Sequence, residues 1–360
     1  MKKTAIMTFH TAKNYGALLQ AYALQENLKK LGADARIIDY CPDDIQYSLI
    51  PYEKTFRGKL RNLLVLLHIL EKRRKFKKFD DFSKENLIIT DKYLSTQALY
   101  NNPPKAELYI TGSDQVFNPN RQTHKKQAYF LDFTPIQTPK ISYAASFGTD
   151  HIEEKYKAEI AGYLRKFDSL SVRENIGIKL ISKLTGQEAS ETLDPTLLLD
   201  ADSWAQVERP YKGLPQGYVL YYRLLGVGDD VAAIVAEKLK LPLVMITDSP
   251  QNKVGADFVI RDAGPGEFLW LYDNAEFIIT NSFHGVAFSL IFNKQFLSCD
   301  KQKSTQIRAL NLLEQLDLRS KIIFSDTLLE MENTINYDSV NISLKKIREK
   351  SNEFLLKWIN

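Results

Sequence analysis

The sequence predicts an α/β protein of two doubly wound, Rossmann-like lobes followed by a C-terminal helix. Its 360 residues exceed what one compact core usually organises, so two domains are expected. Short apolar runs alternate with helical periodicities through both halves, the pattern of parallel sheets. Between Asp200 and Gln216 that alternation breaks at Pro210, Gly213 and Pro215, as expected of a crossing between lobes. The boundaries read from this are an N-terminal lobe over 1–209, a C-terminal lobe over 210–338 and a last helix over 339–360.

Taken in order, Thr4 to Phe9 reads as a strand and His10 to Gly16 as a loop. From Ala17 the spacing of Leu18, Tyr22, Gln25, Leu28 and Leu31, closed by Gly32, describes a helix with one apolar side. Strands follow at 35–40, 108–111, 141–145 and 170–172, with helices near 153–167 and 174–184. The second series has strands at 218–222, 243–246, 258–260, 277–280 and 295–299, with helices near 229–239, 266–272, 282–292 and 304–316. Leu344, Ile347, Phe354, Leu355 and Trp358 line one side of the last helix, which is expected to return to the first lobe. Open sheets of this kind bind ligands beyond the carboxyl ends of their strands, here expected in the crevice between lobes.

An apolar fraction of 44% with 26% charged residues is that of an ordinary globular protein. Cys41 and Cys299 have no paired spacing, which suits a reducing compartment. No export signal or membrane span is read from the sequence, so a cytosolic protein is expected. The net charge of +4 is uneven, because residues 54–78 hold ten Lys or Arg against the single Glu71. Leu60, Leu63, Leu64, Leu67 and Leu70 there line a helical face bracketed by Arg57, Lys59, Arg61 and Lys72 to Lys78. Such a segment suits peripheral contact with the inner face of an anionic membrane, or else a core-packing helix with a solvated basic side. None of the usual nucleic-acid-binding motifs is present, so no nucleic-acid partner is expected.

Chemistry concentrates in a few motifs. In the run Asp273 to Gly285, a buried strand delivers Thr280 to a polar turn and a helix starts at about Ser282. First-turn amides, the helix dipole and the imidazole of His284 would converge there, a setting that attracts anions. The alternative is that Ser282 is only an N-cap and His284 a satisfied side chain. The first loop places Thr8, His10, Asn14, Tyr15 and Gly16 between a strand and a helix, a ligand-facing position. It lacks the three-glycine dinucleotide fingerprint, and Asn14 could serve only to start the helix. The five histidines show no ligand spacing, and neither a metal nor a bound cofactor is expected.

Several motifs in order resemble the polysaccharide pyruvyl transferase family. They are Thr8-Phe9-His10 with Asn14 to Gln20, Thr111-Gly112-Ser113-Asp114-Gln115-Val116-Phe117-Asn118, Ser171-Val172-Arg173-Glu174, Asp194-Pro195-Thr196, and Ala263 to Phe268 followed by Asn281-Ser282-Phe283-His284-Gly285. The resemblance runs from the first strand to about Phe296. It implies a GT-B-like fold and transfer of an enolpyruvyl-derived unit from phosphoenolpyruvate to two hydroxyls of one sugar, with loss of phosphate. The acceptor is then a glycan or a lipid-linked oligosaccharide, with the first lobe on the acceptor side and the second on the donor side.

On that pattern Arg173 and His284 act at the donor, with Asn281, Ser282, Phe283 and Gly285 around it. Thr8, His10, Asn14, Tyr15, Gly16, Ser113, Asp114 and Gln115 line the acceptor side or the cleft. The chemistry asks for such groups, since a guanidinium can clasp a carboxylate or phosphate with two hydrogen bonds and an imidazole can protonate or hold a leaving phosphate. Asp114 and Glu174 are candidate proton carriers, although a Gly-Ser-Asp turn and a first-turn acid are also ordinary local chemistry. Where some branches carry Arg two places before the motif His this chain has Ser282, and where others carry Asp it has Asn281. Lys13, Arg223 and Arg261 are the candidates for the missing charge. The competing readings are a GT-B glycosyltransferase using a nucleotide sugar and a non-catalytic glycan-binding scaffold of the same fold.

Overall fold

The computed structural model describes residues 1–42, 68–120, 126–224, 226–300, 307–324 and 334–360. The chain divides into two compact units, one from Met1–Gln46, Asn86–Leu199 and Asn341–Asn360, the other from Tyr47–Glu85 and Asp200–Val340.

The first unit is built on strands β1 (Lys3–Met7), β2 (Asp34–Tyr40), β3 (Ile89–Tyr93), β4 (Leu108–Thr111) and β5 (Lys140–Ser142). They form a wholly parallel sheet in the order β3-β2-β1-β4-β5. Two short parallel strands, β6 (Ser171–Val172) and β7 (Ser190–Glu191), continue it through the bridges Ile141–Ser169 and Ala145–Val172. All four residues of β4 are buried, as expected of a parallel strand covered on both faces.

The helix Tyr15–Lys30 starts where Asn14 Oδ1 accepts from the Ala17 amide at 3.1 Å. It ends in a full Schellman turn: Gly32 sits at φ 94°, its amide bonds Lys29 O, and the Ala33 amide bonds Leu28 O. Phe117 is wedged among Phe130, Phe147 and Phe167 in the core, stacked on Phe130 at 4.7 Å.

The second unit carries β8 (Val219–Arg223), β9 (Leu243–Thr247), β10 (Phe258–Ile260), β11 (Phe277–Thr280), β12 (Gln295–Asp300) and β13 (Ile322–Phe324). These too are parallel throughout, in the order β10-β9-β8-β11-β12-β13. Tyr222, Phe268, Tyr272 and Phe288 make an aromatic cluster on one side of that sheet, with Trp204 edge-on to Phe288. Both parallel sheets required of a GT-B-like chain are therefore present.

Two segments join their units from a distance in sequence. The C-terminal helix, Tyr337–Ile359, joins the first unit from Asn341 onward. There the Lys2 ammonium reaches Trp358 O at 2.6 Å, Arg348 Nε reaches Leu197 O at 2.8 Å, and the Leu193 amide reaches Ser351 Oγ at 3.0 Å. The basic helix Ile69–Asn86 lies, up to Glu85, with the second unit. Arg74 pairs with Asp262 at 2.8 Å, Lys75 with Asp248 at 2.7 Å and Lys78 with Glu267 at 2.7 Å, while Phe79 and Phe82 are buried.

The acids that match this helix lie some 170 to 190 positions downstream, so local sequence does not reveal the match. Leu70, on the expected apolar face, is 64% exposed, and Leu60, Leu63, Leu64 and Leu67 lie outside the described residues. No helix among the described residues is long and apolar enough to cross a membrane.

Candidate functional site

In both sheets the motifs fall at the point where the strand order reverses, the position at which open parallel sheets bind ligands. In the first unit this is the pair β1 and β4, in register from Thr4↔Leu108 to Met7↔Thr111. Beyond their carboxyl ends lie Thr8 and the turn Gly112-Ser113-Asp114. Thr8 Oγ1 approaches Ser113 O at 3.4 Å, and Gln20 ties both segments by donating to Thr8 Oγ1 at 2.8 Å and accepting from the Ser113 amide at 3.0 Å. Gly112 has φ 124°, and a Cβ there would lie 2.1 Å from Tyr143 O, so only glycine fits. Asp114 is held at φ 62° by its own carbonyl, which accepts from the Ser146 and Val116 amides at 2.9 and 2.8 Å.

Arg173, at the end of β6, is buried among carboxylates. Its Nη1 meets Asp194 Oδ2 at 2.6 Å, its Nη2 lies 3.5 Å from Asp114 Oδ1, and its Nε lies 3.8 Å from Glu174 Oε2. Burial opposes the guanidinium charge, but the fields of Asp194, Asp114 and Glu174 outweigh it and hold the group above its ordinary pKa. Asp194 caps the 3-10 turn Pro195–Leu198, where its Oδ1 accepts from the Thr196 amide at 3.0 Å and hydroxyl at 2.7 Å. Its Oδ2 is also 3.3 Å from Ser113 Oγ, which ties the cluster to the switch-point turn. Glu174 accepts from Ser146 Oγ at 2.5 Å.

The second unit repeats the arrangement at β8 and β11, in register from Val219↔Phe277 to Tyr222↔Thr280. The Leu224 amide beyond β8 donates to Asn281 Oδ1 beyond β11 at 3.1 Å, so Asn281 ties the two strand ends together. Helix Phe283–Ile291 follows at once, with Ser282 extended at its N-cap position and no hydrogen bond from the Ser282 side chain to the first turn. Instead the Ser282 amide donates to Thr280 Oγ1 at 3.1 Å. His284 lies in that first turn, 8% exposed, with its ring edge-on to Phe283 at 5.2 Å. Gly285 permits close approach of helix to strand, since a Cβ there would fall 2.1 Å from Thr280 Oγ1.

Other expected site residues are held by local contacts. Asn14 caps its helix, and Tyr15 and Gly16 are buried in its first turn. His10 Nε2 lies 3.1 Å from Asp39 Oδ1 with Nδ1 3.4 Å from Thr8 O. Gln115 Oε1 accepts from Asn118 Nδ2 at 2.7 Å. Arg223 makes a two-point pair with Asp229 at 2.7 and 2.9 Å, and Arg261 donates to Ser249 O at 2.9 Å. Gln20 and Asp194, which the sequence presents only as parts of motifs, join the clusters. The Asp-Pro-Thr string was the one local signal for Asp194, since it marks a capped turn.

No curated protein matches the sequence. Among solved structures the chain is similar to UDP-GlcNAc 2-epimerase from Methanocaldococcus jannaschii, in complex with UDP-GlcNAc and UDP, at 10% identity, covering 97% of this chain and 93% of that one with a TM-score of 0.47. It is similar to the Neisseria meningitidis UDP-GlcNAc 2-epimerase bound to UDP-GlcNAc at 12% identity, covering 97% and 98%, TM-score 0.47. An alpha-glucosyltransferase in complex with UDP is 8% identical, covering 99% and 92%, TM-score 0.48. The family model for polysaccharide pyruvyl transferase matches residues 14–301, a span that includes Asp114, Arg173, Asp194 and the run Asn281 to Gly285. With most of its length matched, including the motif residues beside both switch points, the chain belongs to the polysaccharide pyruvyl transferase family.

Proposed function

We propose that this protein transfers pyruvate from phosphoenolpyruvate to two hydroxyls of one sugar in a glycan or lipid-linked oligosaccharide, forming a ketal and releasing phosphate. The observation that carries the reading is His284, seated in the first turn of a helix that opens at a switch point inside the span matched by the family. The Ser282 side chain makes no capping hydrogen bond to that turn, and the positive end of a helix favours a phosphate. The His284 imidazole then holds the departing phosphate or gives it a proton. Transfer to a sugar on a lipid carrier would bring the protein to the cytosolic face of a membrane.

The test is a phosphate-release screen with phosphoenolpyruvate against galactose-, glucose- and mannose-type acceptors, free and lipid-linked. A product that gains the mass of a pyruvate ketal supports the reading. Release of a nucleotide from an activated sugar would replace it with glycosyl transfer, and saccharide binding without turnover would replace it with a scaffold role.

A further inference from the structure

We propose that a cavity at the amino-terminal ends of β1 and β2 binds a sugar phosphate, at a site separate from the motif residues and independent of the pyruvyl-transfer reading. The cavity holds about 430 Å³, the size of a small-molecule site. Lys3 and Asp34 stand side by side in register at its edge, as do Ala5 and Arg36 two residues further along. Because alternate residues of a strand share a face, these four side chains lie on one side of the sheet. Strand β3 adds Asp91 and Tyr93, and the stretch before β4 adds Pro104 and Lys105.

Charge decides what such a cavity takes. Lys3, Arg36 and Lys105 line it against Asp34 and Asp91, which leaves one positive charge in excess. Among the described residues, the Lys3 and Lys105 ammonium groups have no ion-pair or hydrogen-bond partner. Arg36 Nε lies 3.5 Å from Asp34 Oδ1, beyond the roughly 2.7–2.9 Å of a strong charge-assisted bond. The neighbouring Glu107 carboxylate accepts from the Lys3 amide at 2.9 Å and is not among the lining groups. A solitary exposed lysine calls for no ligand. Three cations brought from three separate segments to one concavity match an anion.

A phosphate monoester fits them best. It offers three terminal oxygens, enough for the guanidinium fork and both ammonium groups, where a carboxylate offers two. The acids select the rest of the ligand. Register steps the groups diagonally across the sheet, from Lys3 on β1 to Arg36 on β2 and on to Asp91 on β3. Two strand spacings, about 10 Å, therefore separate the backbones at Lys3 and Asp91. A phosphate seated at Lys3 and Arg36 stands clear of Asp91, and a sugar attached to it brings hydroxyls that donate to that carboxylate. Ala5, Tyr93 and Pro104 are buried, so the floor is apolar and suits the C–H face of a ring.

The cationic end is remote from the motifs. Thr8 and the turn Gly112-Ser113-Asp114 lie beyond the carboxyl ends of β1 and β4, and a rise of about 3.3 Å per residue puts Lys3 about 17 Å from Thr8 along β1.

The experiment titrates glucose 6-phosphate, galactose 1-phosphate, glucose and inorganic phosphate into the full-length protein by calorimetry, and follows amide hydrogen exchange with each present. Both sugar phosphates are expected to bind about tenfold or more tightly than glucose or inorganic phosphate, and to slow exchange at 89–93 and 105–107 while leaving 281–285 unchanged. Arg36→Gln, and the double variant Lys3→Gln with Lys105→Gln, change exposed side chains and are each expected to weaken the sugar phosphates by about tenfold. Asp91→Ala is expected to weaken the sugar phosphates by about threefold without weakening inorganic phosphate.

Absence of saturable binding by either sugar phosphate would overturn the proposal, as would equal affinity in wild type and Arg36→Gln. Slowed exchange confined to 281–285 would do the same, because the ligand would then sit at the His284 turn. Equal affinity for inorganic phosphate and the sugar phosphates, or no effect of Asp91→Ala, would overturn the assignment of the sugar.

Discussion

Gly285 sits where a helix must nearly touch the strand that precedes it, and the neighbour it would strike is the Thr280 hydroxyl that accepts from the Ser282 amide. Gly285→Ala therefore forces Thr280 aside and loosens the turn that carries His284. A loss of about 1–3 kcal/mol is expected from overpacking, visible as a lower melting temperature and reduced turnover together. His284→Ala, with no such steric demand, is expected to leave melting nearly unchanged and to lower turnover by on the order of 10²–10⁴ if the ring moves a proton. His284→Gln separates the roles, since a rate close to wild type would leave only positioning.

At Glu208, burial pushes the carboxyl up to about 7, Asp273 adds to the shift and Lys294 offsets part of it. A raised folded-state pKa means that the folded protein holds a proton the unfolded chain has already lost, so this group's contribution to stability falls as pH rises from the ordinary Glu value through 7. Glu208→Gln should thus raise the melting temperature at pH 8.5 and change it little at pH 4.5, and equal shifts at both pH values would refute the cause. The strand-turn-helix setting of His284 is legible in the sequence. The sequence is silent on Asp114 and Asp194 as neighbours of Arg173, because they reach it only through the fold.

Among elements, those with a strong period or an uninterrupted apolar run were legible. The reading of 229–239 as a helix and of 108–111, 258–260 and 277–280 as strands coincides with the structure. Strand β3 escaped because it is an edge strand, mostly exposed, in which polar residues outnumber apolar ones. Strand β7 is two residues long, too short for alternation to register, whereas the strand read at 170–172 contains β6. The helix Ile69–Asn86 showed its basic charge but not where that charge goes.

Lys78 bonds both oxygens of Glu267 at 2.7 and 2.8 Å, and Glu267 in turn accepts from the Gly264 amide at the start of the helix Pro265–Asp273. Lys78→Glu is expected to cost on the order of 1 kcal/mol, since the pair is partly exposed and screened. Adding Glu267→Lys should recover part of that loss but not the Gly264 bond. A double variant as unstable as the sum of the two singles would show that the pair contributes nothing to docking.

At the scale of the whole molecule, the chain passes between its two units at residues 85–86, 199–200 and 340–341, so neither unit is one continuous stretch. The first is completed only by the C-terminal helix, in which Leu344 and Leu355 are buried and Phe354 packs near Tyr143 at 6.3 Å. Each large apolar side chain so buried stabilises by roughly 1.5–3 kcal/mol, which together is a large part of the net stability of a domain. Removing residues 341–360 also takes the Ser351 acceptor from the Leu193 amide and the Arg348 donor from Leu197 O. The protein ending at Val340 is therefore expected to lose hydrogen-exchange protection at Leu193 and in the helix Tyr15–Lys30, where Asn27 loses its partner Asn352. Strands β8, β9 and β11 of the second unit should keep theirs, since no residue of 341–360 belongs to that unit. A synthetic 341–360 peptide added in trans should restore protection in the first unit in a concentration-dependent way. Full protection of the Leu193 amide without the peptide would show that the first unit closes on its own, and that the returning helix is an ornament to a core already complete.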